Sequence, residues 1–244
     1  EIPISGRNLM LAVDLSGSMD AKDFELAGRR VDRLSATKAV ASDFIARRIG
    51  DRIGLILFGE QAYLQVPLTL DRETVRTLLM ESFIGLAGEK TAIGDAITLA
   101  VKRIHDQKSE GSNHVLVLLT DGANTAGAIQ PLKAAELARE IGLKIYTIGI
   151  GADQMVVSSI TGGLRRINPS ADLDEKTLTK IAEMTGGRYF RARDTISLQD
   201  IYRLLDNIEP VPEAESGFRP IQSLFYWPLG IALIISVFLV IMNV

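Results

Sequence analysis

The chain has 244 residues, and 27 Lys+Arg against 30 Asp+Glu leave a formal net charge of −3. That near-balance argues against a nucleic-acid-binding protein, which needs a basic excess or stripe; 47 % apolar and 23 % charged residues exclude a disordered chain. With no cysteine, a disulfide framework, a thiolate zinc site, an iron–sulfur cluster and a cysteine nucleophile are excluded together. The length allows one large domain with a real core. The chain opens on Glu1 without a charged-then-apolar signal, so a piece of a longer product is expected.

In chain order, short continuous apolar runs at residues 9–13, 53–58, 115–119 and 145–150 predict strands buried on both faces of a helix-covered sheet. Residues 62–68 alternate and contain Pro67, which suits an edge strand. Between them, Val40, Phe44, Ile45 and Ile49 recur at helical spacing. A second helix is expected from near Ala92 and carries Ile93, Ala96, Ile97, Ala100, Val101 and Ile104. A third has Leu132, Ala135, Ala138 and Ile141 between Pro131 as a start and Gly142 as a stop. Asp172 with Glu175 resembles a capping box ahead of Leu178, Ile181 and Ala182. This alternation predicts an α/β doubly wound domain over residues 1–208, its sheet mostly parallel with one antiparallel edge strand.

Residues 209–220, rich in Pro and Glu, read as a semi-extended linker. Residues 224–242 then run without a charge. As a helix they span about 28 Å at ~1.5 Å per residue, close to the ~30 Å hydrocarbon core of a bilayer. Phe225, Tyr226 and Trp227 open the run where amphipathic rings favour headgroups. A transmembrane helix is therefore expected at 221–244. Arg219 precedes it and no Lys or Arg follows, so the local charge count favours a cytoplasmic domain by one residue, and upstream segments decide the orientation.

Ligands of open α/β sheets bind beyond the carboxyl ends of strands, where the strand order reverses. Three polar sites stand at that level: Asp14-Leu15-Ser16-Gly17-Ser18, Thr91 ahead of a helix, and Thr120-Asp121-Gly122. If the first and fourth apolar strands are neighbours, Asp14, Ser16, Ser18, Thr91 and Asp121 converge on one crevice. Two carboxylates and three hydroxyls form an all-oxygen donor set, which hard cations such as Mg²⁺ select.

With these residues the chain resembles the von Willebrand factor A (VWA) family, whose metal-ion-dependent adhesion site reads DxSxS, then a Thr before a helix, then an Asp at a strand end. The resemblance covers roughly residues 6–208. It implies a Rossmann-like fold with Mg²⁺ (or Mn²⁺) touched by the hydroxyls of Ser16, Ser18 and Thr91, and with Asp14 and Asp121 acting mostly through water. It also implies a non-catalytic, protein-binding role in which a partner's Asp or Glu completes the metal's coordination. Residues 90–96, residues 186–190 and the C-terminal apolar segment are similar to Bat-type aerotolerance proteins. These are bacterial membrane-anchored VWA proteins linked to MoxR-type AAA+ ATPases, so the implied partners are such an ATPase or another VWA protein, and the implied location is the bacterial inner membrane. Hydrophobic segments that precede the domain in that group are absent before Glu1.

An alternative is Mg-dependent phosphatase or phosphotransferase chemistry on Asp14. Ser16 stands where a second Asp is expected, and only Lys90 adjoins the strand ends, so the positioning set is incomplete. G-x-S-x-G is absent, and Gly149-Ile150-Gly151 lacks the third glycine of a dinucleotide loop. His105 and His114 read as structural. Residues 20–33, with Arg29, Arg30 and Arg33 among Asp23, Glu25 and Asp32, and the connection 153–172 read as solvated surface; their length also suits recognition.

Overall fold

The computed structural model describes residues 7–106, 114–158 and 164–209, together with Leu239, Ile241 and Met242. The chain divides into two compact units, Glu1–Pro212 and Glu213–Val244. In chain order the first unit runs β1 (Asn8–Asp14), a 3-10 turn (Gly17–Asp20), β2 (Phe24–Leu26), β3 (Arg29–Val31), α1 (Arg33–Arg47), β4 (Arg52–Phe58), β5 (Ala62–Thr69), α2 (Arg72–Glu81), α3 (Ile93–His105), β6 (His114–Thr120), α4 (Pro131–Glu140), β7 (Lys144–Ile150), β8 (Met155–Ser158), β9 (Leu164–Ile167), α5 (Glu175–Met184), β10 (Tyr189–Ala192) and α6 (Thr195–Ile208).

Six strands form one sheet in the order β10-β7-β6-β1-β4-β5. All neighbours are parallel except β5, which lies antiparallel to β4 at the edge, its register shifting between Ile53 and Ile56. Pro67, which has no N–H to give, is accommodated there. Because side chains alternate along a strand, β1 sends Leu9, Leu11 and Val13 to one face and Met10 and Ala12 to the other. The first face is covered by α1, α2 and α6 through Val40, Phe44, Ile45, Val75, Leu79, Ile201 and Tyr202. The second is covered by α3, α4 and α5 through Ile93, Ile97, Ile104, Ala135, Ala138 and Ile181.

Three expectations are corrected. Helix α1 ends at Arg47, so Ile49 does not join its apolar stripe and stands exposed. The cap of α5 is Asp174, whose carboxylate accepts the Thr177 N–H at 3.1 Å; Asp172 lies two residues too early. Residues 20–33 and 153–172 are not plain surface loops, since each contains a two-stranded antiparallel hairpin, β2–β3 and β8–β9. His114 is structural as expected, its Nδ1 3.2 Å from Asn8 Nδ2.

Glu209, where the composition places the start of the linker, is buried in the first unit. It bonds Lys144 Nζ at 2.6 Å and the Tyr146 hydroxyl at 2.8 Å, with Arg7 at 3.1 Å. Residues 210–220 and the expected membrane helix lie outside the described residues, apart from Leu239, Ile241 and Met242, which are helical and exposed. Among the described residues no helix is long and apolar enough to cross a membrane.

Candidate metal centre

Strands β1 and β6 are neighbours, with Val13 opposite Leu119, so Asp14 and the Thr120-Asp121 corner meet at the carboxyl edge of the sheet. The chain leaves β1 toward β4 and later returns past β1 to β6, which makes this the topological switch point. All five residues expected at the site come together here.

Asp14 is fully buried and both its oxygens are occupied: Oδ1 accepts the Ser16 N–H at 2.8 Å and Oδ2 accepts the Thr120 hydroxyl at 2.6 Å. The Ser18 hydroxyl donates to Asp121 Oδ1 at 2.5 Å, and Ser16 Oγ lies 3.1 Å from Ser18 Oγ. Since the single Ser18 proton points to Asp121, Ser16 is the donor in that second contact. Thr91 is held by its backbone: its N–H donates to Thr125 Oγ1 at 3.0 Å, and its carbonyl accepts from Thr125 and Ala126. Its hydroxyl has no hydrogen-bond partner among the described residues. A Cβ on Gly122 would stand 3.8 Å from Thr91 Oγ1 and 3.9 Å from Ser18 Oγ, so both hydroxyls front the same small space.

The start of α3 is set by close packing. A Cβ on Gly94 would come within 1.9 Å of the Ile129 carbonyl, and the Asp95 carboxylate accepts the Ala128 and Ile129 N–H groups. Glycine followed by aspartate thus lets residues 124–129 lie against the helix start and fixes Thr91.

Sequence reasoning missed Arg33. Far from being solvated, this side chain is fully buried: it bonds Asp23 at 2.6 Å, Asp121 Oδ2 at 2.8 Å and the Pro169 carbonyl at 3.1 Å. Thr120, which the sequence marks only as part of the strand-end corner, holds Asp14. The sequence signal for Arg33 was an arginine in the first turn of a helix after the capping residue Asp32, a position where a cation gains nothing from the helix dipole.

Electrostatically the site is short of positive charge. Burial, and next the Asp121 charge, push the Asp14 carboxyl up from 3.8 to about 7. Burial also raises Asp121, while the Ser18 hydroxyl and the Arg33 guanidinium pull it back. Among the described residues no group of three or more Asp, Glu, His or Cys side chains is placed to hold a metal ion by itself. The donor set is therefore two carboxylates and three hydroxyls, which fits a hard divalent cation and not a soft one.

A pH dependence follows for the metal-free protein. The folded Asp14 keeps its proton up to about pH 7 whereas the unfolded carboxyl loses it near 3.8. The folded state therefore binds more protons across that window, and stability falls as pH rises through it. Urea unfolding in EDTA should show a loss of a few kcal/mol between pH 5 and pH 8, at about 1.4 kcal/mol per tenfold of proton affinity. Asp14→Asn should flatten the profile.

The profile of the von Willebrand factor type A domain matches residues 8–204. An aerotolerance-related membrane protein from Bacteroides fragilis is 27 % identical with a TM-score of 0.67, over 83 % of this chain and 100 % of that one. BatB from Bacteroides thetaiotaomicron is 25 % identical with a TM-score of 0.67, over 84 % of this chain and 99 % of that one. An uncharacterized protein of Borreliella burgdorferi is 30 % identical over 198 residues, 80 % of this chain and 56 % of that protein. A UPF0353 protein of Mycolicibacterium paratuberculosis is 30 % identical over 217 residues, 84 % of this chain and 61 % of that protein. The chain thus spans about three-fifths of the length of these curated relatives. Proximal thread matrix protein 1 of the mussel byssus, solved with a zinc-occupied MIDAS motif, shares the fold at 17 % identity and a TM-score of 0.62, over 84 % of this chain and 48 % of that one. The strand order, the crevice at the switch point and the profile match over 8–204 agree: the chain belongs to the von Willebrand factor type A domain family.

Proposed function

We propose that Ser16, Ser18 and Thr91 hold one Mg²⁺ or Mn²⁺, that Asp14 and Asp121 act on it mostly through water, and that the site recruits an Asp or Glu of a partner protein. The observation that carries this reading is the pair of buried carboxylates at the switch point, fronted by hydroxyl oxygens and pushed toward protonation by their own burial. A bound divalent cation supplies a positive, incompletely neutralised centre for an external carboxylate. The protein's own residues do the rest. Thr120 and the Ser16 N–H hold Asp14 still, Arg33 takes one oxygen of Asp121, and the 124–129 loop fixes Thr91.

This geometry favours binding over phosphoryl transfer. A phosphoryl acceptor needs an oxygen that substrate can reach, and Asp14 is fully buried with each oxygen held by a hydrogen bond. Lys90 is exposed and faces Glu60 at 3.4 Å. The chain is read as residues 1–209 forming the domain, Glu209 being buried in it, 210–220 a tether and 221–244 an anchor in a bacterial inner membrane. The description of the Bacteroides fragilis relative as a membrane protein and the exposed Leu239, Ile241 and Met242 support the anchor. The likeness to the aerotolerance-related protein of Bacteroides fragilis supports a role in stress tolerance, with a MoxR-type AAA+ ATPase or a second VWA protein as the partner to test first.

The test is a pull-down with the membrane-extracted chain. The partner complex should dissociate in EDTA and reform with Mg²⁺. Thr91→Ala should abolish it without lowering the melting temperature appreciably, because the hydroxyl makes no bond within the described fold. Co-purification that survives EDTA would overturn the proposal, as would phosphatase turnover lost in Asp14→Asn.

A further inference from the structure

Beside the crevice lies an apolar surface that the cation does not use. Residues 83–86 form a tight turn in which the Leu86 N–H donates to the Phe83 carbonyl at 3.2 Å. Gly85, third in that turn, has φ +81°, a conformation open to glycine and strained for other residues. Ile84 packs into the core. Its neighbours are left outside, Phe83 59 % exposed and Leu86 43 % exposed.

The turn is tied to the metal loop itself. The Gly85 N–H donates to the Leu15 carbonyl at 2.8 Å, and the Gly17 N–H donates to the Glu89 carbonyl at 3.0 Å. Leu15 and Gly17 alternate with Ser16 and Ser18 in the chain. On the other side, the Gln61 N–H donates to the Ala87 carbonyl at 3.1 Å and the Ala92 N–H to the Gly59 carbonyl at 2.7 Å. Two large apolar side chains are thus displayed on a braced backbone, one hydrogen-bonded residue away from the hydroxyl donors.

A single exposed leucine needs no explanation. A rigid apolar pair next to a cation site is different, because anchors that are already ordered lose little entropy on binding and concentrate interface energy. The adjacent positive centre requires the same occupant to be anionic nearby, so a wholly apolar segment does not fit. We propose that Phe83 and Leu86 set the specificity of the site by taking a large apolar side chain a few residues from the Asp or Glu that reaches the cation. The partner's motif is then an acid with an apolar neighbour, not an acid alone. The inference rests on the acidic-partner reading above.

The test uses the full chain in detergent and short synthetic peptides, each with one Asp in a Gly/Ser background and a Leu or a Ser placed at successive offsets from it. With Mg²⁺, peptides carrying Leu at a favoured offset from Asp should bind about tenfold tighter than their Ser counterparts, the effect of one good apolar anchor. Phe83→Ser and Leu86→Ser, both at exposed positions, should each remove that difference and leave Mg²⁺ affinity unchanged. Equal binding of Leu and Ser peptides would overturn this inference and leave the acidic-partner reading standing. Absence of Mg²⁺-dependent binding by any Asp peptide would overturn both. Loss of self-association or of vesicle binding in the two variants, with the peptide preference intact, would assign the turn to a second copy or to lipid and also overturn it.

Discussion

Asp14→Asn is expected to lower Mg²⁺ affinity about 10–100-fold, the scale of losing a group that orients metal ligands, while leaving the metal-free fold as stable as before or more so at pH 7.5. The amide matches the carboxylate in shape. Its oxygen can accept the Ser16 N–H and its NH₂ can donate to the Thr120 oxygen, so the two contacts made by Asp14 persist. What disappears is a buried charge repelled by Asp121. Asp121→Asn should weaken metal binding by a similar factor yet destabilise the fold, because Arg33 then loses one of its two counter-charges. Calorimetric titration with Mg²⁺ and thermal melts in EDTA separate the two outcomes. Unchanged metal affinity in both variants would remove these carboxylates from the site.

The largest expected loss of stability comes from Arg33→Met. Methionine fills much of the volume but leaves Asp23 and Asp121 buried without their shared cation. Breaking a buried pair by removing one partner costs about 3–5 kcal/mol, most of a marginal domain's stability. Arg33→Lys should recover part of that, since an ammonium can face one carboxylate but cannot fork between two. Combining Arg33→Met with Asp23→Asn should be less damaging than the sum of the single changes, the sign of coupling in a double-mutant cycle. Mg²⁺ should stabilise Arg33→Met more than the parent chain, because the charge on Asp121 is no longer divided between guanidinium and cation. Urea melts with and without Mg²⁺ measure all of these. A metal increment equal to that of the parent would show that Arg33 is structural and nothing more.

The guanidinium also ties three segments to the site. Asp23 precedes β2, Ser170 and Pro169 follow β9, and Asp121 closes β6, and all meet at Arg33. Asp23 in turn accepts the Ala152 N–H at 3.0 Å. The two hairpins at the rim are therefore anchored to a residue that also holds one of the metal-site carboxylates.

By itself the sequence was enough to determine the four central strands, the edge strand at Pro67, the helices over Val40–Ile45, Ile93–Ile104 and Leu132–Ala138, and which five polar residues meet at the switch point. The reason is locality. A strand buried on both faces is a continuous apolar run, a covered helix repeats its apolar residues every three or four positions, and Asp-x-Ser-x-Ser is contiguous. Helix α6 is equally legible in the stripe Leu198, Ile201, Tyr202 and Leu205. Helix α2 buries only Val75 and Leu79 and gives little periodicity to read. The hairpins have strands of three or four residues, too short for any period to emerge, and β2–β3 turns at Ala27 and Gly28 with positive φ at both.

Only the tertiary structure decided the charges. Asp121 lies 88 residues from Arg33 in the chain, and an arginine among acids reads as solvated surface until the fold closes over it. Burial is a property of the packed chain, and it is burial that turns Arg33 into a buried cation shared by two carboxylates and lifts Asp14 to about 7. The same holds for Phe83 and Leu86. Their sequence is ordinary, and their place beside the crevice is set by two backbone hydrogen bonds to Leu15 and Gly17 that no periodicity records.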